Sequence, residues 1–331
     1  MQYVKLGNTG LDVSRLCLGM MSFGKPGPEH GLFPWARDFD EAKPIFQAAI
    51  EAGINYFDTA NIYQMGSSEE VTGQLIRAFG LDRDDIVVAT KVRMDMRPGK
   101  PNGGGLSRKA ILSEIDKSLK RLGLDHVDLY TIHRADPNTP IEETMEALHD
   151  VVKSGKARYI GASTMYAWQF ERMQNVAEKN GWTRFVAMQN HYNLIYREEE
   201  REMIPLCQDR KVALTPWSPL AGGRLAHPWG TQTARVKIDE VSKWVWDGTN
   251  ALDKVVVDNV QRLAEAKGLP MGQLALAWML SKPWITAPIV GASRPGQLAD
   301  VVVAESTPID PSLKSRIDEM THEYRFGAAA R

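Results

Sequence analysis

Apolar positions along this chain alternate between two rhythms: short continuous runs, and longer stretches in which every third or fourth residue is apolar. The runs at 16–19, 54–57, 86–89, 127–132, 159–162, 185–188, 212–215 and 285–290 predict buried strands. The stretches between them predict helices. Asp40 reads as the N-cap of a helix carrying Ile45, Phe46, Ala49 and Ile50 on one face, with Gly53 at its stop. Ser67 and Glu70 have capping-box spacing ahead of Val71, Leu75 and Phe79. Ser107 opens a helix with Ile111, Ile115, Leu119 and Leu122, ended by Gly123. Thr139, Pro140 and Glu142 supply a cap, a first-turn proline and a capping-box acid, and Gly155 closes that helix. Further amphipathic stretches lie at 167–177, 197–209 and 274–280.

Strands that alternate with helices pair in parallel and are covered on both faces, which leaves a closed barrel or an open doubly wound sheet. No G-x-G-x-x-G follows the first strand, and Gly103-Gly104-Gly105 has no Walker lysine after it. The expectation is therefore α/β, a (β/α)8 TIM barrel forming a single domain over residues 1–331. The irregular stretch 216–247 reads as a functional lid rather than a linker.

Composition adds exclusions. The 40 basic and 41 acidic side chains nearly cancel, which argues against nucleic acid or an anionic membrane as a partner and for a small molecule. Cys17 and Cys207 are too few for a disulfide framework and have no zinc-ligand spacing, so no metal is expected and a reducing, cytoplasmic setting is. The start has no signal-peptide pattern, and no apolar run reaches the ~18 residues of a membrane span.

In a parallel barrel the strand C-termini carry the chemistry, so polar residues that close apolar runs come first. Asp58 closes the second run, Lys91 the third and His133 the fourth, and Tyr63 lies on the loop just past Asp58. Each has an ordinary reading on its own: a cap, a snorkelling amine, a satisfied core imidazole. As a set they make a proton donor. Lys91 would draw the Tyr63 phenol down toward the working range, Asp58 would hold the ammonium charged and in place, and His133 would hydrogen-bond a carbonyl oxygen. Such a set suits hydride reduction of a carbonyl by a nicotinamide.

The segments Phe57-Asp58-Thr59-Ala60-x-x-Tyr63, Thr90-Lys91 and Asp128-Leu129-Tyr130-x-x-His133 resemble the catalytic motifs of the aldo-keto reductases. The resemblance runs from Leu6-Gly7 through Leu18-Gly19-Met20 to Gly291-Ala292-Ser293-Arg294. It is nearest the bacterial and fungal branch of broad carbonyl reductases, which share a segment like Asn190-His191-Tyr192-Asn193-Leu194. It implies the barrel fold, Tyr63 as general acid, Lys91 and Asp58 as its tuning pair, and His133 as the residue orienting the carbonyl. It also implies an NADPH/NADP+ site. Gly19, Met20 and Asp58 would border the nicotinamide, Ser163 and Gln189 would hold its carboxamide, and Trp217 would stack on the ring. Ser218, Leu220, Gly222 and Arg224 would belong to the pyrophosphate loop, joined by Arg235 from the lid. Gly291, Ser293 and Arg294 would form the 2′-phosphate pocket, with Gln297 and Asp300 toward the adenine. Two departures stand out: Thr164 where Asn is common, and Val301 in place of another Asn.

The loop residues Trp35, Met65, Met94, Met96 and Trp229 could line an apolar substrate mouth or pack as ordinary core. The substrate is expected to be an aldehyde or ketone reduced to an alcohol. Two rival readings follow from the same residues. One is an NADP(H)-binding regulatory subunit with little turnover, since potassium-channel β subunits share the fold and the motif. The other is a barrel lyase using Lys91 as a Schiff-base nucleophile, disfavoured because Asp58 keeps that amine protonated.

Overall fold

The computed structural model describes residues 1–27, 30–31, 33–232 and 250–321. Eight parallel strands carry the architecture: β3 (Cys17–Gly19), β4 (Tyr56–Asp58), β5 (Val87–Val92), β6 (Val127–Ile132), β7 (Ala157–Ser163), β8 (Phe185–Gln189), β9 (Ala213–Leu214) and β10 (Ile289–Val290). They line up in the order β10-β3-β4-β5-β6-β7-β8-β9. The two ends meet. Ile285 bridges Leu214 in parallel, and the Ile289 amide donates to the Pro216 carbonyl at 2.8 Å, so the last strand bonds both β9 and β3. The result is the predicted (β/α)8 barrel, with each predicted run on its strand.

Side-chain parity divides the core. Cys17, Tyr56, Val87, Ala89, Leu129, Ala187, Ala213 and Ile289 fill the barrel interior, whereas Leu18, Phe57, Val88, Tyr130, Ile160 and Met188 face the surrounding helices. Those helices are α1 (Phe39–Glu51), α2 (Ser67–Ala78), α3 (Arg108–Leu122), α4 (Ile141–Lys153), α5 (Ala167–Asn180) and α6 (Met203–Asp209). Beyond β9 come α7 (Asn250–Lys267) and α8 (Met271–Leu280), and beyond β10 come α9 (Pro295–Val302) and α10 (Pro311–Met320). No helix among the described residues is long and apolar enough to cross a membrane.

A hairpin of β1 (Tyr3–Lys5) and β2 (Asp12–Ser14) plugs the N-terminal end of the barrel, placing Leu6 and Val13 in the interior cluster. Nothing in the apolar pattern predicts it, because its strands are short and half exposed. Gly7 makes the fit possible: its φ is +58°, and a Cβ there would lie 2.7 Å from the Ala213 nitrogen and 2.8 Å from two backbone oxygens.

Several helix starts differ from the sequence expectation. Asp38, not Asp40, caps α1, its carboxylate accepting from the Glu41 amide at 3.1 Å. Gly66 at φ +96° precedes α2, so Ser67 is a helical residue whose hydroxyl donates to Gln64 O at 2.9 Å instead of closing a capping box. Pro140, not Thr139, holds the cap position of α4. Thr139 turns to Asp136 instead, at 2.8 Å. Ser107 and Gly123 cap α3 as expected. The stretch predicted as one helix over 197–209 splits into a 3-10 turn at Glu198–Glu200 and α6.

The α2–α3 contact is tight enough to test. A Cβ on Gly73 would lie 1.9 Å from the Leu122 carbonyl oxygen, so the helices must separate to accept it. Gly73→Ala is expected to cost about 1–3 kcal/mol of stability through overpacking, measured as a lower midpoint in urea at unchanged m-value.

Candidate active site

Parity that fills the interior also builds the rim. Two residues past each inward side chain, the strand presents another inward one: Tyr56 leads to Asp58, Ala89 to Lys91, Leu129 and Thr131 to His133, Gly161 to Ser163, and Ala187 to Gln189. Register puts Gly19 beside Asp58 and Ser163 beside Gln189. Polar groups from five strands therefore converge on the C-terminal mouth.

The centre is the Lys91 ammonium. It pairs with Asp58 Oδ2, donates to the Thr59 carbonyl at 2.9 Å, and reaches the Tyr63 hydroxyl at 3.3 Å. Gln189 Nε2 donates to the other Asp58 oxygen at 3.0 Å. Both charged side chains are almost wholly buried, at 0% and 2% exposure, so they act in a medium where their attraction is little screened. Burial works to lower the lysine, but Asp58 and Tyr63 outweigh it and leave the ammonium above its ordinary value.

Tyr63 behaves differently from the sequence expectation. Burial pushes the phenol up, Lys91 pulls it down, and the net direction is upward. The tyrosine is thus a firmly protonated donor in this state rather than a group poised near neutrality. His133 stands edge-on to it, ring centres 5.7 Å apart. Burial, with Lys91, Arg134 and Arg93 adding positive charge nearby, holds this imidazole well below its ordinary value and so neutral. Its buried Nδ1 has no hydrogen-bond partner among the described residues.

The loop carrying Tyr63 is fastened on both sides. The Asn61 amide donates to Lys91 O at 3.2 Å and its side chain to Glu114 at 3.1 Å. Thr59 meets Ser68 at 2.8 Å, and Ser68 donates to Met20 O at 2.8 Å. Gln64, missed by the sequence reading, sits at φ 47° and is buried. Its amide accepts from Phe33 N at 2.8 Å and donates to Lys25 O at 2.6 Å, tying the loop after β3 over the site. Phe33 then packs its ring edge-on to Tyr63 at 6.0 Å and against Trp35 at 5.5 Å. Of the proposed mouth residues, Trp35 lies in this cluster, Met65 is exposed, Met94 accepts from Arg93, Met96 is half-buried, and Trp229 packs on the core beneath Arg224.

The residues assigned to a cofactor occupy the other half of the rim. Ser163 donates to Gln189 O at 2.7 Å and touches Thr164 at 3.2 Å, and the Trp217 indole donates to Thr164 at 3.0 Å. Trp217 also stacks on His191 with ring centres 4.1 Å apart, which fixes the indole plane. Thr164, at φ +43°, thus links Ser163 to Trp217. Ser218 (+53°) and, past Leu220 at φ −104°, Ala221 (+50°), Gly222 (+64°) and Gly223 (+103°) take left-handed φ, a backbone form that gathers N–H groups around an anion. Arg224 is drawn toward Asp253 at 3.6 Å. Gly291, Ser293 and Arg294 are exposed just before α9 and Asp300 is exposed in its second half, and the Ser293 amide and hydroxyl both donate to Gln297 Oε1 at 2.9 Å. Gly19 has no room for a Cβ, which would meet Ile289 at 2.8 Å. Arg235 and part of the 216–247 stretch lie outside the described residues.

The sequence profile of the Aldo/keto reductase family matches residues 15–322. The chain is 41% identical over 337 residues to the versiconal hemiacetal acetate reductase of Aspergillus parasiticus, covering 96% of each. It is 37% identical to aldo-keto reductase AMT2 of Alternaria alternata, covering 96% of this chain and 90% of the relative. To aldo-keto reductase dtxS3 of Metarhizium robertsii it is 36% identical, again covering 96% and 90%. The chain belongs to the aldo/keto reductase family and is an oxidoreductase acting on carbonyl groups.

Proposed function

We propose that the protein is an NADP(H)-dependent reductase that converts aldehydes or ketones to alcohols, with Tyr63 as the general acid. The observation that carries this is the buried chain from Gln189 through Asp58 and Lys91 to the Tyr63 hydroxyl, ending beside an imidazole with an orphaned nitrogen. A phenol raised by burial keeps its proton until a carbonyl oxygen develops negative charge. It then gives that proton up to a site where Lys91 stabilises the phenolate left behind. His133, held neutral, orients the same oxygen by hydrogen bonding.

A bound nicotinamide would supply the hydride. The residues present fit that group. Ser163 and Gln189 retain lone pairs for an amide beyond the bonds they make, Trp217 offers a fixed aromatic plane, and the left-handed residues Ser218 and Ala221 to Gly223 suit a pyrophosphate. Arg294, exposed beside the Ser293 hydroxyl and without an ion-pair partner among the described residues, suits the 2′-phosphate that distinguishes NADPH from NADH. The protein works as one barrel domain with a small-molecule carbonyl substrate and needs no metal.

NADPH consumption at 340 nm against a panel of aldehydes and ketones tests the reading. Tyr63→Phe is expected to lower kcat/KM by about 10²–10⁴-fold while NADPH still quenches tryptophan fluorescence as in the parent. Retained NADPH binding without turnover in the parent protein would instead mark a cofactor-bound regulator.

A further inference from the structure

Two arginines stand near the candidate imidazole with no carboxylate in ion-pair contact among the described residues. Arg134 follows His133 directly at the end of β6. Arg93 lies two residues past Lys91, on the strand that His133 joins through its amide bond to Val92 O at 2.9 Å. Both are half-buried. Among the described residues Arg93 donates only to the Met94 sulfur, at 3.7 Å, and it holds a strained φ of 122°. Arg134 is half-buried and has no hydrogen bond or ion pair among the described residues.

Asp136 feels the charge of Arg93 but does not clasp it. Asp136 spends its oxygens on Leu106 N at 2.8 Å, Asn138 N at 3.0 Å and Thr139 Oγ1 at 2.8 Å, and makes no ion pair with either arginine. The two guanidinium groups are close enough to act on each other and on His133, and Arg134 acts on His191 as well, on the far side of β7. A like-charge pair held half out of water beside a reacting centre, with no carboxylate in ion-pair contact among the described residues, is a poor structural element and a ready anion site.

We propose that Arg93 and Arg134 form a carboxylate subsite, so that the preferred substrates are carbonyl compounds carrying a carboxylate a short distance from the reacting carbon. The inference rests on the reductase reading for its reaction but on the arginines alone for its selectivity. A guanidinium would take the carboxylate through paired N–H donors while His133 and Tyr63 hold the carbonyl end.

The experiment compares 4-carboxybenzaldehyde with its neutral methyl ester, methyl 4-formylbenzoate, in the full-length protein with NADPH. Arg134→Met and, separately, Arg93→Met are compared with the parent, and thermal melts verify folding. Equilibrium binding of 4-carboxybenzaldehyde to the NADP+ complex is measured alongside by tryptophan fluorescence. The parent is expected to favour the carboxylate in kcat/KM, and each variant to lose about 10- to 100-fold on the carboxylate, the worth of one or two hydrogen bonds to a charged group, with the ester little changed. Equal use of both aldehydes by the parent, a preference that survives both substitutions, or variants that lose NADPH affinity instead, would overturn the subsite. Absence of turnover on either aldehyde, with carboxylate binding that still depends on Arg134, would sink the reductase reading and leave the subsite standing.

Discussion

Lys91→Met is expected to remove measurable carbonyl reduction and to cost the fold about 3–5 kcal/mol. The lysine and its partner Asp58 are buried at 0% and 2% exposure, so deleting one charge strands the other away from water with only the Gln189 amide to satisfy it. The same deletion leaves Tyr63 without a positive charge behind its hydroxyl. Adding Asp58→Asn to Lys91→Met removes the unpaired charge and should recover much of the stability and none of the turnover. Chemical denaturation and NADPH consumption, run on the parent, the single and the double variant, separate the two effects. A single variant as stable as the parent would mean that Asp58 is solvated from the mouth. A double variant that regained turnover would remove Lys91 from the chemistry.

The barrel was legible because its strands are buried on both faces and so read as continuous apolar runs, each ended by a residue of another kind. Asp58, Lys91, His133 and Gln189 were visible for the same reason: a charged or amide side chain at the end of such a run has to face the mouth, since parity forbids the helix layer. What escaped the sequence lacked that contrast. Asp38 and Asp40 flank one phenylalanine, and only the observed bond to Glu41 N decides which of them caps α1. Helix α7 passed unnoticed because Val255-Val256-Val257 is a β-branched run that imitates a strand, although Val256, Val257, Val260, Leu263 and Ala264 bury one helical face. Gln64 gave no signal, since its role depends on a loop thirty-odd residues earlier folding back over it. For the tyrosine the sequence predicts the opposite direction, because neighbours along the chain reveal charge but not the extent of burial, and burial is the larger influence here.

Arg121→Met is the substitution that should harm the enzyme from furthest outside the mouth. Glu69 on α2 is fully buried, and its carboxylate meets the Arg121 guanidinium of α3 at 2.5 Å and the Thr90 hydroxyl of β5 at 2.5 Å. Thr90 immediately precedes Lys91, so this outward-facing bond holds the strand whose next side chain carries the ammonium. Burial already pushes the Glu69 carboxyl above its ordinary value of 4.5, with Arg121 as the main opposing influence. Without the arginine that value rises further, and an unpaired buried carboxylate is expected to cost about 3–5 kcal/mol at neutral pH. The sign of the pH dependence follows from the direction of the shift. A carboxyl raised in the folded state keeps its proton more firmly there than in the unfolded chain, so stability is greatest below the ordinary carboxylate value and falls as pH rises through the raised one. The variant should therefore melt closest to the parent near pH 5 and lose ground toward pH 8. Glu69→Gln in the same background should flatten that slope, because a neutral amide has no proton to lose. Equal melting deficits at both pH values would show that Arg121 acts by packing against Gly66, where its side chain lies too close to admit a Cβ, rather than by charge.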